Sequence, residues 1–237
     1  MHLFYTPDIA LCHELPADEA AHALRVLRLQ PGDEVSLTDG QGNLYRAIIS
    51  ECNRKRCLVE VEGKEEQPPL WEGHLHLALA PTKNMDRMEW LAEKATEIGF
   101  DELTFLNCQW SERRIVKGER IEKILVSAMK QSLKARLPKL NEMTDLMHFV
   151  KQPFSGQKFI AHCHEGEKLL LRQALQPAED ALVLIGPEGD FSPDEVAEAI
   201  RQGFKPVTLG NTRLRTETAA LVAVHLMNLT HTNPSEV

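Results

Sequence analysis

Apolar and polar positions along the 237 residues change period near residue 70. Before that point they alternate in short runs. Glu34-Val-Ser-Leu-Thr38 and Leu44-Tyr-Arg-Ala-Ile-Ile49 flank the turn sequence Asp39-Gly40-Gln41-Gly42-Asn43, and Cys57-Leu-Val-Glu-Val61 follows, which predicts three short strands. An Ala-rich stretch, Ala17 to Leu27, begins near Asp18 and is closed by Pro31-Gly32, so one short helix is expected there. The region reads as a small β-barrel or β-rich domain. The polar run Glu62-Gly-Lys-Glu-Glu-Gln-Pro-Pro69 then breaks the alternation, and its prolines cannot donate to a ladder or a helix. A domain boundary is expected there, giving residues 1–70 and 74–237.

Beyond the boundary, strand-like runs alternate with helical ones. His74 to Ala80 predicts a strand, and Met88, Leu91, Ala95 and Ile98 then share one face of a helix starting near Met85 and capped by Gly99. Further strands are expected at Asp101 to Leu106, Lys158 to His162, Leu182 to Ile185 and Pro206 to Leu209. Ile121, Ile124, Leu125, Ala128 and Leu133 fall at helical spacing. Ser192-Pro193-Asp194-Glu195 has the form of a capping box with proline at the first helical position, and Gly203 ends that helix. The last helix runs from about Thr216 to Leu229, and residues after Thr230 read as a frayed tail. This order predicts an α/β domain with a mostly parallel sheet covered on both faces.

At 43% hydrophobic residues the chain has enough apolar material for a core without staples. Its five cysteines are scattered and form no CxxC, which argues against a disulfide framework or a zinc knuckle and for reduced, cytosolic thiols. The start Met-His-Leu-Phe-Tyr-Thr-Pro lacks the features of a secretory signal, and the longest apolar runs are far below bilayer-spanning length. An untargeted, cytoplasmic protein with no membrane partner is expected. The formal charge of -8 speaks against indiscriminate nucleic-acid binding. Its distribution does not: between Arg113 and Lys139 stand nine basic and two acidic residues, a local +7 that leaves -15 on the remainder. Such a segment is either a solvated helix face or a contact for a polyanion. With 5% aromatic residues, extensive base stacking of the single-strand-binding type is not suggested.

Two glycine-bearing loops carry the chemistry. Ile185-Gly186-Pro187-Glu188-Gly189-Asp190 and Leu209-Gly210-Asn211-Thr212-Arg213-Leu214-Arg215-Thr216-Glu217 each follow an apolar strand-like run and precede a helical pattern. Backbone amides and carbonyls are thereby bared at a strand's end, where α/β proteins bind small molecules. Neither loop has GxGxxG spacing, and GxxxxGK[ST] occurs nowhere, so a nucleotide polyphosphate is not the expected guest. His162-Cys163-His164 would place its two imidazoles on one face of a strand with the thiol opposite, and no second cluster accompanies them. No metal site is expected.

These residues resemble the RsmE family of 16S ribosomal RNA uridine-N3 methyltransferases, in the SPOUT superfamily, and the likeness runs nearly end to end. His22-Ala-Leu-Arg-Val-Leu-Arg28 with Gly32-Asp33 and Asp39-Gly40 is similar to the family's PUA-like RNA-binding domain. Lys83 through Glu97-Ile98-Gly99 resembles its Lys-then-KATElG stretch, and Gln131-Ser132 with Arg136 and Pro138 another family run. The resemblance implies S-adenosylmethionine as cofactor, a C-terminal trefoil knot, a homodimer, and 16S ribosomal RNA or the small ribosomal subunit as partner. It also implies that the cofactor is held by the region after Ile160, by Ile185, Gly186 and Gly189, and by Leu209, Gly210 and Leu214.

In two places the chain departs from the family: Asp190 stands where a second glycine is usual, and Thr212-Arg213 where an arginine usually comes first. Asp tolerates left-handed backbone better than most residues. Arg215 and Glu217 keep the family register. Methylating uridine N3 requires that its proton be taken or that a cation stabilise the anion formed. Glu217 is the first candidate base and Glu188 the second, with Arg215 stabilising charge. Arg28, Arg113, Arg114, Lys117 and Arg136 are expected RNA contacts. Two alternatives remain open: an RNA-binding or ribosome-assembly factor without catalysis, and a methyltransferase of the same fold acting elsewhere on RNA.

Overall fold

Two kinds of sheet correspond to the two hydropathy periods. The computed structural model describes residues 2–53 and 56–232. One compact unit comprises the chain up to Pro69 together with Val126–Leu137; the other comprises Leu70–Leu125 and the chain from Pro138 onward.

In the first unit, β1 (Leu3–Tyr5) runs parallel to β2 (Glu34–Thr38), which pairs antiparallel with β3 (Asn43–Cys52), and β3 pairs antiparallel with β4 (Cys57–Glu66). The polar run expected to end the pattern at Glu62 instead continues β4 to Glu66, because an edge strand can send charged side chains to water. The expected helix splits into α1 (Ala17–Ala21) and a π-helical turn at His22–Val26. Phe4, Ile9, Leu37, Ile49 and Cys57 are buried at the centre.

Residues 126–137 are tied to this sheet by backbone: Gly42 N donates to Ala135 O at 2.9 Å and Leu137 N to Gly40 O at 2.9 Å. Lys130 Nζ meets Glu19 Oε1 at 2.5 Å, a pair whose side chains are mostly buried. Arg136 donates to Gln41 O and Gln67 O. Leu133, expected on the apolar helix face, is instead 54% exposed with φ 55°, since the helix has ended at Gln131 and its register does not reach that far.

The second unit contains β5 (Leu75–Leu79), α2 (Met85–Ile98), β6 (Glu102–Asn107) and α3 (Gly118–Gln131), whose last residues belong to the first unit. Then come β7 (Lys139–Leu140), β8 (Thr144–Asp145), α4 (Leu146–Phe149), β9 (Gln157–Ala161), β10 (Leu169–Leu170) and α5 (Leu171–Ala174). The last elements are β11 (Ala181–Ile185), α6 (Pro193–Arg201), β12 (Lys205–Thr208) and α7 (Thr216–His231). The eight strands described are all parallel, ordered β10-β12-β9-β11-β5-β6-β7, with β8 also on β6. Every residue of β5 and β11 is buried, as a strand covered on both faces requires.

The local signals are obeyed at the helix ends. Asn84 caps α2 through the Asp86 amide, and Ser192 and Glu195 close both bonds of the capping box of α6. Helix α7 extends to His231; the tail expected after Thr230 otherwise lies outside the described residues. No helix described is long and apolar enough to cross a membrane.

At the amino ends of β5 and β6 lies a polar knot of side chains. Glu102 is held by His74 Nε2 (2.8 Å), Asn141 Nδ2 (2.6 Å) and Lys139 Nζ (3.1 Å), and His76 Nε2 pairs with Thr104 Oγ1 at 2.8 Å. The His74 hydrogen bond, foremost, keeps the Glu102 carboxyl far below the usual range, and the same bond raises His74. Burial pushes His76 down to about 4.

Candidate active site

Because β12, β9, β11 and β5 are adjacent and parallel, their carboxyl ends open on one side of the sheet. There the loops after β9, β11 and β12 surround a cavity of about 450 Å³. Its apolar wall is Ala161, Ile185, Leu214 and Ala219; its polar groups are Arg87, Glu188, Asp190, Arg213, Arg215 and Glu217. A side hollow of about 80 Å³ shares Ala161, Ile185 and Leu214 and adds Val207, Leu209 and Gly210.

The loop after β11 folds back so tightly that a Cβ on Gly186 would lie 3.1 Å from Phe191 N. Gly210 has φ +146° in the loop after β12, backbone that side chains rarely adopt. Asp190 does take left-handed backbone, φ 68°. It adds what a glycine there could not: Oδ2 accepts from Cys163 N at 2.7 Å and Oδ1 from Phe191 N at 2.8 Å. The departure from the family pattern thus staples the loop after β11 to the loop after β9. Lys168 closes the latter by donating to the carbonyls of His162 and His164. Thr216 Oγ1 joins the third loop by donating to Gly186 O at 3.2 Å.

Glu217, in the first turn of α7, has a side chain only 9% exposed. Its Oε1 lies 3.6 Å from Arg87 Nη1, while Oε2 is buried without a hydrogen-bond partner. Arg215, just before α7, is exposed, and no side-chain bond of it is seen among the described residues. Glu188 is also exposed, and its Oε1 accepts from Lys83 N at 3.1 Å, fastening the start of α2 to the loop after β11. Both ring nitrogens of His162 are buried without a hydrogen-bond partner beside the side hollow, and burial, foremost, lowers its pKa.

Of the residues expected to hold a cofactor, Ile185, Gly186, Leu209, Gly210 and Leu214 line these spaces. Gly189, also expected there, is not among the residues lining either space; a Cβ on it would meet Trp110 at 3.4 Å. The three candidate catalytic residues, Arg215, Glu217 and Glu188, share the main cavity. Arg113, Arg114 and Lys117 precede α3 in the second unit, and Arg28 and Arg136 belong to the first. Sequence reasoning missed Arg87, since nothing in its spacing separates it from any surface arginine on a helix. It also missed that Asp190 is a staple.

An adenosyl group with a cationic centre would fit the groups present: apolar walls, bare backbone at Gly186 and Gly210, and carboxylates at Glu188, Asp190 and Glu217. Comparison with known proteins agrees. The RNA methyltransferase domain family matches residues 69–228 and the RNA methyltransferase PUA domain residues 15–62. Ribosomal RNA small subunit methyltransferase E of Mycobacterium bovis is 32% identical over 94% of this chain and 89% of its own length. The chain belongs to the ribosomal RNA small subunit methyltransferase E family.

Solved structures bear the family likeness as well. A probable rRNA-methyltransferase from Porphyromonas gingivalis superposes with a TM-score of 0.93 at 45% identity, covering 98% of each chain. The Neisseria gonorrhoeae ribosomal RNA small subunit methyltransferase E bound to S-adenosyl methionine gives 0.83 at 28% identity, with 97% of each chain covered. Both loops and Glu217 fall inside the span matched by the methyltransferase domain of the family.

Proposed function

We propose that this chain methylates N3 of a uridine in 16S ribosomal RNA with S-adenosylmethionine as donor. The observation that carries the reading is Glu217, a residue lining the cavity built from the three loops, whose Oε2 is buried without a hydrogen-bond partner. S-adenosylmethionine supplies an electrophilic methyl on a sulfonium. The N3 proton and the entering methyl occupy the same in-plane direction, so the proton leaves first. Glu217 accepts it at Oε2, which is buried and has no hydrogen-bond partner. Arg215, exposed at the mouth, stabilises charge on a uracil oxygen. Glu188 already accepts from Lys83 N and is the poorer base; it holds its loop. Ile185, Gly186, Gly189, Leu209, Gly210 and Leu214 hold the donor with backbone and apolar contacts.

The test is direct. Small subunits from a strain lacking the protein are incubated with labelled donor and the modified nucleoside is mapped by mass spectrometry. N3-methyluridine supports the reading; 2′-O-methylation, another base, or no transfer ends it.

The basic residues before α3 supply RNA contacts. Changing Arg113, Arg114 and Lys117 together to Ala is expected to reduce the slope of log affinity against log salt by about 0.7 for each phosphate no longer neutralised. Cofactor affinity measured by calorimetry stays the same. An unchanged slope removes these residues from the interface. Arg28 is exposed and suited to the same work. Arg136 already gives two donors to Gln41 O and Gln67 O, so any RNA contact there uses its remaining edge.

Helix α7 is apolar around its circumference and leaves Leu229 63% exposed, and Trp90 on the adjoining α2 is 45% exposed. A helix of that kind needs cover on every side, which favours a homodimer. Sedimentation is expected to give twice the chain mass; a single-chain mass rejects it. The crossing from β12, beyond β9, back to α7 on β5 and β11 supports a trefoil knot. A ribosomal substrate places the work in the cytoplasm.

A further inference from the structure

We propose that Arg87 is the positioning residue for Glu217: its guanidinium attracts Oε1 and so fixes the rotation of the carboxylate, leaving Oε2 without a partner. The inference rests on the reading of Glu217 as proton acceptor. A carboxylate whose side chain is only 9% exposed has lost most of its hydration, and a cation beside one of its oxygens offsets that loss and fixes how the group is turned. Arg87 Nη1 is the partner seen, 3.6 Å from Oε1. That separation is a charge contact rather than a hydrogen bond, so the lone pairs of Glu217 are not consumed by it.

The placement is enforced from both sides. Arg87 lies in the first turn of α2, whose start is fixed by the Asn84 cap on Asp86 N at 3.0 Å and by the grip of Glu188 on Lys83 N. Glu217 lies in the first turn of α7, which packs on α2. The other charged groups facing the cavity are Arg213 and Arg215 before α7 and Glu188 and Asp190 after β11; none of them pairs with Glu217 among the described residues. The Arg87 side chain is 38% exposed, so its own charge stays hydrated while that of Glu217 does not.

If Arg87 acts through Glu217, its effect depends on Glu217 being there. Arg87→Met and Arg87→Lys are made in the unaltered protein and in Glu217→Gln, and single-turnover methyl transfer to small subunits is measured with cofactor affinity by calorimetry. Arg87→Met is expected to slow transfer by about 30-fold to 100-fold in the unaltered protein and by under about 2-fold in Glu217→Gln. Arg87→Lys restores most of the rate, and cofactor affinity stays within about 3-fold throughout. Equal slowing in both backgrounds overturns the proposal, since Arg87 then acts on the substrate directly. Lost cofactor affinity also overturns it, making Arg87 a cofactor ligand. Full activity of Arg87→Met beside a slow Glu217→Gln sinks Arg87 alone; full activity of Glu217→Gln sinks the underlying reading too.

Discussion

Replacing Glu217 by Gln is expected to slow methyl transfer by about 10²–10⁴-fold with cofactor affinity nearly unchanged. The amide keeps the shape of the side chain but cannot take the N3 proton, so the loss falls on the chemical step. The fold is expected to hold. Oε2 of Glu217 makes no hydrogen bond that would be lost, and Arg87, left without its counter-charge, is partly hydrated. Thermal unfolding should therefore occur at the same temperature or higher, as happens when a functional charge is removed from a site that strains to keep it. Rate, cofactor titration and melting curve together separate a base from a structural group. A full rate would show that the proton leaves by another route; a large drop in melting temperature would show that the carboxylate holds α7 in place.

The polar knot at the amino ends of β5 and β6 predicts the second large effect. Glu102→Gln is expected to destabilise the protein by about 3 kcal/mol at neutral pH, the order expected when one member of a buried charged group is removed. His74, Asn141 and Lys139 would each lose an ionised acceptor. The knot also fixes how stability varies with pH. His76, lowered to about 4 in the folded chain, is protonated only in the unfolded chain between that value and about 6.5, so stability falls as pH falls through this window. Glu102, depressed when folded, adds to the loss below about 4.5. His74 is raised when folded, so its contribution is complete below about 6.5 and is lost as pH climbs through the raised value. Denaturant unfolding should show a maximum close to pH 6.5, with an acid slope approaching about 1.4 kcal/mol per pH unit from His76. In His76→Gln that slope should flatten; a slope unchanged in the variant would mean other groups govern it.

Much of the second unit could be read from periodicity, because its strands β5 and β11 are wholly buried and helices α2 and α6 carry clear caps. The runs Leu75–Leu79 and Ala181–Ile185 and the Ser192 capping box are cases in point. The short elements β7, β8, β10, α4 and α5 escaped, since two to four residues are too few to display a period. Leu133 misled because helical spacing was carried past the end of α3. Whereas the loop after β9 entered only through the family resemblance, the loops after β11 and β12 were legible as a site because glycine before a helix signals bare backbone. Arg87 was not: its importance comes from lying 3.6 Å from a residue 130 positions later in the chain, a proximity that only the packing of α2 on α7 creates. Asp190 was legible only as a tolerated substitution, because its bond to Cys163 N depends on β9 and β11 being neighbours.

The return of residues 126–137 to the N-terminal sheet means that the first unit is not one continuous stretch of gene. Cutting after Pro69 would strand the Glu19 carboxylate without its ammonium and uncover the backbone of Gly40 and Gly42 that the later segment satisfies. Evolution or an engineer exchanging that unit between proteins must therefore transplant two pieces at once, which ties its inheritance to that of a helix whose first residues lie in the other unit.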